Sequence, residues 1–359
     1  MNKKNQPKIK HHHYVQRAYL KNFACNKKKT FIWMMDKWRE EIYNNPKKIK
    51  NCAQLGFFYP QSLELWLNKH IESDGIDAVK KLLKYEDFTR LTKIEKKNLI
   101  EWMFVQYIRT PEFIKFFIEN INFNCMYATY IENNSLPNDF LEVFRSDNPD
   151  IQHLPKYYYR ILNLLFESIR NKKLYDQTWF EKEWVLFKNN TTVPYFTSDN
   201  PVIVWKAGSK NISIKTNLGY IGTSDDFIPQ SITIQFEKNI MHYIPLSPTI
   251  ILLLSDENPF SSSIIDQYKQ SEVFTMNKMI AVQSYRYIFS NENSFEHAFQ
   301  TIEEIPECIK KEKRITSYEL GTPQIFGIKD MGKLKQIIKH FEKIDEERKE
   351  TIFDDDFSL

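Results

Sequence analysis

Glycine is scarce in this chain, with 8 in 359 residues. Loops that cradle phosphates need glycine where the backbone must approach the ligand or adopt positive φ. Neither G-x-G-x-x-G nor G-x-x-x-x-G-K-[ST] occurs, which excludes a P-loop and argues against a doubly wound dinucleotide fold. Cysteine is as sparse: Cys25, Cys52, Cys125 and Cys308 stand far apart with no C-x-x-C pair, so a zinc ribbon is excluded. Isolated thiols without a leader-like segment point to a reducing, cytoplasmic compartment. H-E-x-x-H and G-x-S-x-G are absent too, leaving no zincin motif and no serine elbow. No run approaches the roughly 20 apolar residues of a membrane helix. The longest, Thr249–Leu254, suits a buried strand, so no membrane partner is expected. The charge excess is small as well: 50 Lys and Arg against 46 Asp and Glu leave +4, a field that by itself demands no polyanion.

What the chain has in quantity is apolar and aromatic surface. Hydrophobic residues make up 42% and aromatic residues 15%, enough to build a packed core and not the composition of a disordered chain. Positive charge collects locally near the start, at Lys3, Lys4, Lys8 and Lys10, then Lys27–Lys29, then Lys47, Lys48 and Lys50. Such clusters can track phosphates, although a solvated start in a Lys- and Asn-rich chain explains them better.

Periodicity changes along the chain. Residues 1–10 are polar and read as a disordered tail. His11–His13 lead into Val15, Tyr19, Leu20 and Phe23, spaced as one face of a short helix, which places the histidines just before or at its N-terminus. Thr30–Trp38 with Arg39–Tyr43 reads as a hairpin turning at Asp36-Lys37, and residues 51–58 as a link. Leu63–Lys84 has helical spacing interrupted at Gly75. Thr92 with Glu95 is a capping box opening a helix to Ile108; Arg109-Thr110-Pro111 follows, and Phe113, Phe116 and Phe117 continue beyond it. Another helix is expected over 156–172, where Tyr157–Tyr159 between Lys156 and Arg160 invite either core packing or base stacking. From Trp184 to Leu254 short apolar runs alternate with turns, as in an antiparallel meander. Ile264–Ser284 returns to helix and Tyr285–Phe289 to strand. A charged connector over 303–313 leads to an amphipathic helix over 331–350.

The reading is α+β: a helical N-terminal half around a mostly antiparallel sheet formed by the central β-rich block, with C-terminal helices. It assigns 1–10 to the tail, 11–300 to a single domain that the N-terminal hairpin joins through the same sheet, and 301–359 to the connector and last helix.

Several of these stretches together resemble domain-of-unknown-function family 4238. The resemblance is carried by His12, His13, Tyr14, Val15, Tyr19, Leu20, Asn22 and Phe23; by Gln106, Arg109, Thr110 and Pro111; by Thr197-Ser198-Asp199-Asn200-Pro201-Val202; by Pro245-Leu246-Ser247-Pro248; and by Asn277 with Tyr285 and Tyr287. It spans about 11–290. Gln16 stands where the family usually has proline. The resemblance implies a relation and no particular reaction.

The polar residues of these stretches are the candidate site. Thr197–Pro201 is a polar turn between two apolar runs, and Asp and Asn side chains readily bond backbone in such turns. If the dispersed residues converge, the chemistry has an assignment. His12 or His13 serves as general base. Asp199 orients it or holds a divalent metal such as Mg²⁺. Arg109 grips a phosphate or carboxylate, and Asn200 donates to a developing oxyanion. Thr197, Ser198 and Asn277 complete the binding side. That set fits a phosphodiesterase or nuclease-like hydrolase. The alternative is a non-catalytic recognition module for nucleic acid, a nucleotide or a protein. Each residue also has a structural reading: Asp199 bonded only within its turn, Arg109 paired with Glu112, and Glu72 and Asp74 on a solvated face.

Overall fold

The computed structural model describes residues 11–56, 61–111, 113, 178–206, 212–220, 227–236, 240–258, 260 and 262–295. The expected tail at 1–10, the continuation over 116–117, the helix over 156–172 with its tyrosines, the connector at 303–313 and the helix over 331–350 lie outside the described residues.

The His run lies just before the first helix and forms a strand. β1 (His11–His13) pairs antiparallel with β5 (Gln54–Gly56), within the segment expected to be a link. α1 (Arg17–Leu20) and a 3-10 turn, Lys21–Phe23, follow and bury Tyr19, Leu20 and Phe23, as their spacing requires. The expected hairpin is present as β2 (Phe31–Asp36) and β3 (Glu41–Ile42), and β4 (Lys47–Lys48) pairs the start of β2.

α2 (Gln61–Leu67) runs through a π-helical turn, Asn68–Glu72, into α3 (Ser73–Tyr85). The irregularity therefore precedes Gly75, which lies inside α3. Gly75 is needed for proximity, not flexibility: a Cβ there would stand 2.2 Å from Trp102 Cβ. Trp102 belongs to α4 (Lys93–Ile108), which opens with the Thr92–Glu95 capping box in both directions. α4 is buried continuously from Leu99 to Ile108, so its helical stripe is invisible to periodicity: it is a core helix.

Two five-stranded sheets hold most of the remaining described strands. α5 (Thr178–Glu181) precedes β6 (Glu183–Asn189); β7 (Thr197–Ser198), β8 (Ile203–Lys206), β9 (Ile212–Tyr220), β10 (Phe227–Phe236), β11 (Ile240–Ser247), β12 (Ile250–Ser255), β13 (Ile264–Gln267), α6 (Gln270–Gln283) and β14 (Tyr287–Ser290) follow. The first sheet has the order β13-β6-β12-β11-β8, antiparallel except for the parallel β13–β6 pair. The second has β3-β2-β14-β7, with β4 also on β2. The N-terminal hairpin thus joins β14 and β7 instead of the central meander. Likewise the expected helix over 264–284 begins as strand β13. Among the described strands β9 and β10 pair only with each other, and up to Gln235 they belong to a separate compact unit from the other described elements.

Both faces of the first sheet are covered, so β12 reads Ile-Ile-Leu-Leu-Leu-Ser and is buried throughout. On one face Val185, Phe187, Ile251, Leu253, Tyr243 and Ile203 pack with Val273, Ile280 and Ala281 of α6 and with Met35 and Ile288 of the second sheet. On the other, Trp179 of α5 meets His242 of β11 at 4.1 Å between ring centroids and Phe104 of α4 at 5.3 Å.

Candidate functional site

The Thr197–Val202 turn carries the chain from the second sheet to the first, since β7 and β8 belong to different sheets. The expected strand over 193–196 forms no ladder. Pro194 has no N–H to give, and Asn277 of α6 takes the place of a partner strand. Its Nδ2 donates to Pro194 O at 2.9 Å and its Oδ1 accepts from Phe196 N at 2.9 Å.

Four residues of the turn, Thr197 to Asn200, have defined partners. Tyr19 of α1 donates to Pro245 O at 2.6 Å, so the Thr197 hydroxyl donates to Tyr19 at 2.6 Å. Asn22 Nδ2 donates to Leu246 O at 3.0 Å. Tyr19, Thr197 and Pro245, far apart in sequence, thereby form one knot. Ser198 Oγ accepts from Asn200 N at 3.1 Å and donates to Asn200 O at 2.8 Å. Asn200 Nδ2 donates to Gln283 O at 2.8 Å, while its Oδ1 is buried without a hydrogen-bond partner.

Asp199 has no exposed surface. Its Oδ1 accepts from Tyr285 N at 2.9 Å, and its Oδ2 from Arg286 N and Tyr287 N, both at 2.8 Å. Its own N–H donates to Tyr287 O at 3.0 Å. The carboxylate therefore clasps the turn that ends α6 and starts β14. Burial pushes its pKa from 3.8 up to about 6, outweighing the three backbone donors and the nearby Lys37 charge, which pull it down. Tyr14 is buried close enough to feel this carboxylate: desolvation first, then the Asp199 charge, raises its pKa well above the usual value.

The same turn is held from a side that sequence reasoning missed. Arg286 Nε donates to Asp36 Oδ1 and Oδ2 at 3.1 and 3.0 Å, and its Nη2 to Oδ2 at 2.7 Å. The guanidinium lies over the Trp38 and Tyr287 rings, 5.0 and 4.8 Å from their centroids. Trp38 Nε1 donates to Tyr285 O at 2.9 Å. Buried Lys37 donates from Nζ to Ala281 O at 3.3 Å and to Ser284 O, capping the C-terminus of α6. The signal was present as Asp36-Lys37 at a hairpin turn and Arg286 between two tyrosines, but no local pattern links positions 250 residues apart.

Arg109 belongs to a different buried cluster. It ends α4, is 1% exposed, and donates from Nη1 to Glu72 Oε1. Glu72 is buried in the π-helical turn, not on the solvated face expected for it. Gln16 joins them: its Nε2 donates to Glu72 O at 3.3 Å, its N–H to Gln106 Oε1 at 3.1 Å, and its Oε1 accepts from Trp102 Nε1 at 2.7 Å. Gln16 has φ −59°, a value proline would also adopt, so this departure from the family pattern leaves the backbone intact and adds donors.

The histidines alternate across β1. His12 is buried, and His13 faces outward with Nε2 3.0 Å from Lys50 O. Among the described residues, none of the hydrogen bonds to Asp199 comes from His12, His13 or Arg109. Thr197, Ser198, Asp199 and Asn200 lie together, Asn277 braces the approach to them, and Arg109 is engaged with Glu72. No group of three His, Cys, Asp or Glu side chains among the described residues is placed to hold a metal ion. Nor is any described helix long and apolar enough to cross a membrane.

The architecture is that of an α+β protein in which a polar turn crosses between two sheets and is clasped by buried side chains. The chain belongs to the family described as "Protein of unknown function (DUF4238)", whose model matches residues 11–294 of the 359. No curated protein matches the chain. No solved structure matches it.

Proposed function

We propose that this protein is a non-catalytic recognition module and that its partner is a nucleic acid. The observation that carries the first part is the state of Asp199. Both carboxylate oxygens are engaged by the backbone N–H groups of residues 285–287, and the side chain has no exposed surface. A general base or metal ligand needs an accessible lone pair. Arg109 is likewise held by Glu72 in the interior, where it steadies α4 and has no opening to a phosphate. Nucleic acid as the partner class is supported by the exposed Lys and Arg side chains between Arg17 and Lys50.

A phosphodiesterase reading is the second one, favoured by a single observation: burial lifts the Asp199 carboxyl to about 6, within range of a base working near neutral pH.

The test is incubation of wild type and Asp199→Asn with single-stranded RNA, single-stranded DNA and duplex DNA, with and without Mg²⁺ or Mn²⁺, following both gel retardation and cleavage. Retardation of intact nucleic acid by wild type is the expected result. Cleavage that disappears in Asp199→Asn, with the variant folded, overturns the proposal in favour of the hydrolase. Neither retardation nor cleavage sinks both readings.

A further inference from the structure

Two lysine runs about 20 positions apart in sequence converge in the fold. Lys28 and Lys29 precede β2, and Lys48 and Lys50 lie on β4 and the 3-10 turn after it. With Arg17 of α1 and Lys21 they surround one hollow of about 410 Å³, and among the described residues no carboxylate lines it. All six cations are exposed, and among the described residues none takes part in an ion pair. The volume lies in the range of small-ligand sites, roughly 300–1,000 Å³.

The backbone beneath the charges is already tied down. Asn26 Oδ1 accepts from Thr30 N at 2.9 Å and Phe31 N at 3.1 Å, and its Nδ2 donates to Thr30 Oγ1 at 3.0 Å. Cys25 N donates to Phe31 O, and Ile49 N to Thr30 O, each at 2.9 Å. His13 fixes the far wall through Lys50 O. With its oxygen engaged by Asn26, Thr30 keeps its hydroxyl proton for an acceptor in the hollow, which it lines along with the half-buried Phe31 ring. Such a frame loses little entropy on binding.

Six like charges surround one concavity, and an anion of several charges is attracted to all of them at once. We infer that this hollow binds a run of consecutive phosphates, either the backbone of a single strand or the chain of a nucleoside polyphosphate. The inference rests on the recognition reading above for its choice of phosphate over other polyanions. The lysines contact phosphate oxygens as point charges, and Arg17 can grip one with two parallel N–H groups.

The test uses the full chain and fluorescence anisotropy of a labelled single-stranded RNA of about 12 nucleotides, within the usual site size of such grooves. Tripolyphosphate and ATP serve as competitors. The variants are the doubles Lys28→Ala/Lys48→Ala and Lys28→Arg/Lys48→Arg, with Lys80→Ala on the α3 surface as control. Lys28 and Lys48 are both exposed, and circular dichroism checks that the variants fold. Expected is a rise in Kd of roughly tenfold or more for the Ala double and a salt slope smaller by about 1.4, at 0.7 for each single-strand phosphate contact. The Arg double and Lys80→Ala keep wild-type binding. Competition by tripolyphosphate or ATP with the Ala double insensitive assigns the small polyphosphate; RNA binding without such competition assigns the strand. An Ala double that binds RNA like wild type overturns the site while leaving the recognition reading standing. An equal loss in Lys80→Ala also overturns it. RNA cleavage by wild type would instead remove the recognition reading and leave the hollow as a phosphate site. If none of the probes binds, both fall.

Discussion

At the scale of single residues, Asp199 is a carboxylate whose burial and bonding oppose each other. Three backbone donors favour the charged form, and the loss of all water contact disfavours it more, giving a pKa of about 6 against an ordinary 3.8. The linkage follows in sign. A group whose pKa is raised on folding holds its full stabilising contribution below the unfolded value. That contribution is lost as pH climbs through the folded value. Between pH 3.8 and about 6 the unfolded chain is ionised here and the folded chain is not. The Asp199 contribution therefore falls by about 3 kcal/mol across that window. Urea unfolding of wild type and Asp199→Asn should show the variant gaining on wild type as pH rises from 4 to 6.5, with the gap constant above that. A gap independent of pH would show that the backbone donors win and the carboxyl is ionised throughout.

At the scale of elements, α3 and α4 approach closely because residue 75 has no side chain. A Cβ at Gly75 would lie 2.2 Å from Trp102 Cβ, and a backbone-attached atom cannot rotate away. Trp102 is itself immobilised, its indole nitrogen donating to Gln16 and its ring 5.6 Å from that of Tyr19. Gly75→Ala should therefore cost about 3 kcal/mol or more, beyond the small gain in helix propensity that Ala brings. Thermal unfolding measures this directly. A variant as stable as wild type would mean that the helices separate at no cost and that the packing around Trp102 is loose. The element itself was legible in part. The capping box at Thr92 and Glu95 is a local rule and was readable as such, whereas the π-helical turn over Asn68–Glu72 was not. It is set by Glu72 turning inward to Arg109, a contact 37 residues away.

At the scale of the whole molecule, the two sheets are fastened by side chains in place of shared strands. Asp199 reaches from the sheet crossing to the start of β14, Asp36 pairs with Arg286, and Lys37 caps α6, which packs on the first sheet. Removing Asp36 leaves Arg286, largely buried, without its carboxylate, a loss of about 3–5 kcal/mol by analogy with broken buried pairs. Because the clasp joins both sheets, Asp36→Ala should accelerate hydrogen exchange of the β12 core amides and the β2 and β14 amides by the same factor. Acceleration confined to β2 and β14 would show that the sheets open independently and that the clasp is local.

Sequence alone determined what depends on neighbours along the chain. The paucity of glycine excluded glycine-rich phosphate loops, the change from helical to alternating periodicity near Trp184 marked α+β, and the hairpin at Asp36-Lys37 and the cap at Thr92 follow from propensities that act within a few residues. The order of motifs from His12 to Tyr287 placed the chain in its family. Tertiary structure decided where strands joined and what polar side chains faced. The segment 264–267 became a strand because β6 had an open edge, and the N-terminal hairpin joined β14 because the turn between α6 and β14 is pinned to Asp36. Buried polar groups must find partners at close range. That requirement directed Asp199 to the amides of 285–287, Arg109 to Glu72 and Asn277 to the backbone at Pro194 and Phe196. No local rule encodes those pairings, because each is made by whichever donor or acceptor the packed chain brings within about 3 Å.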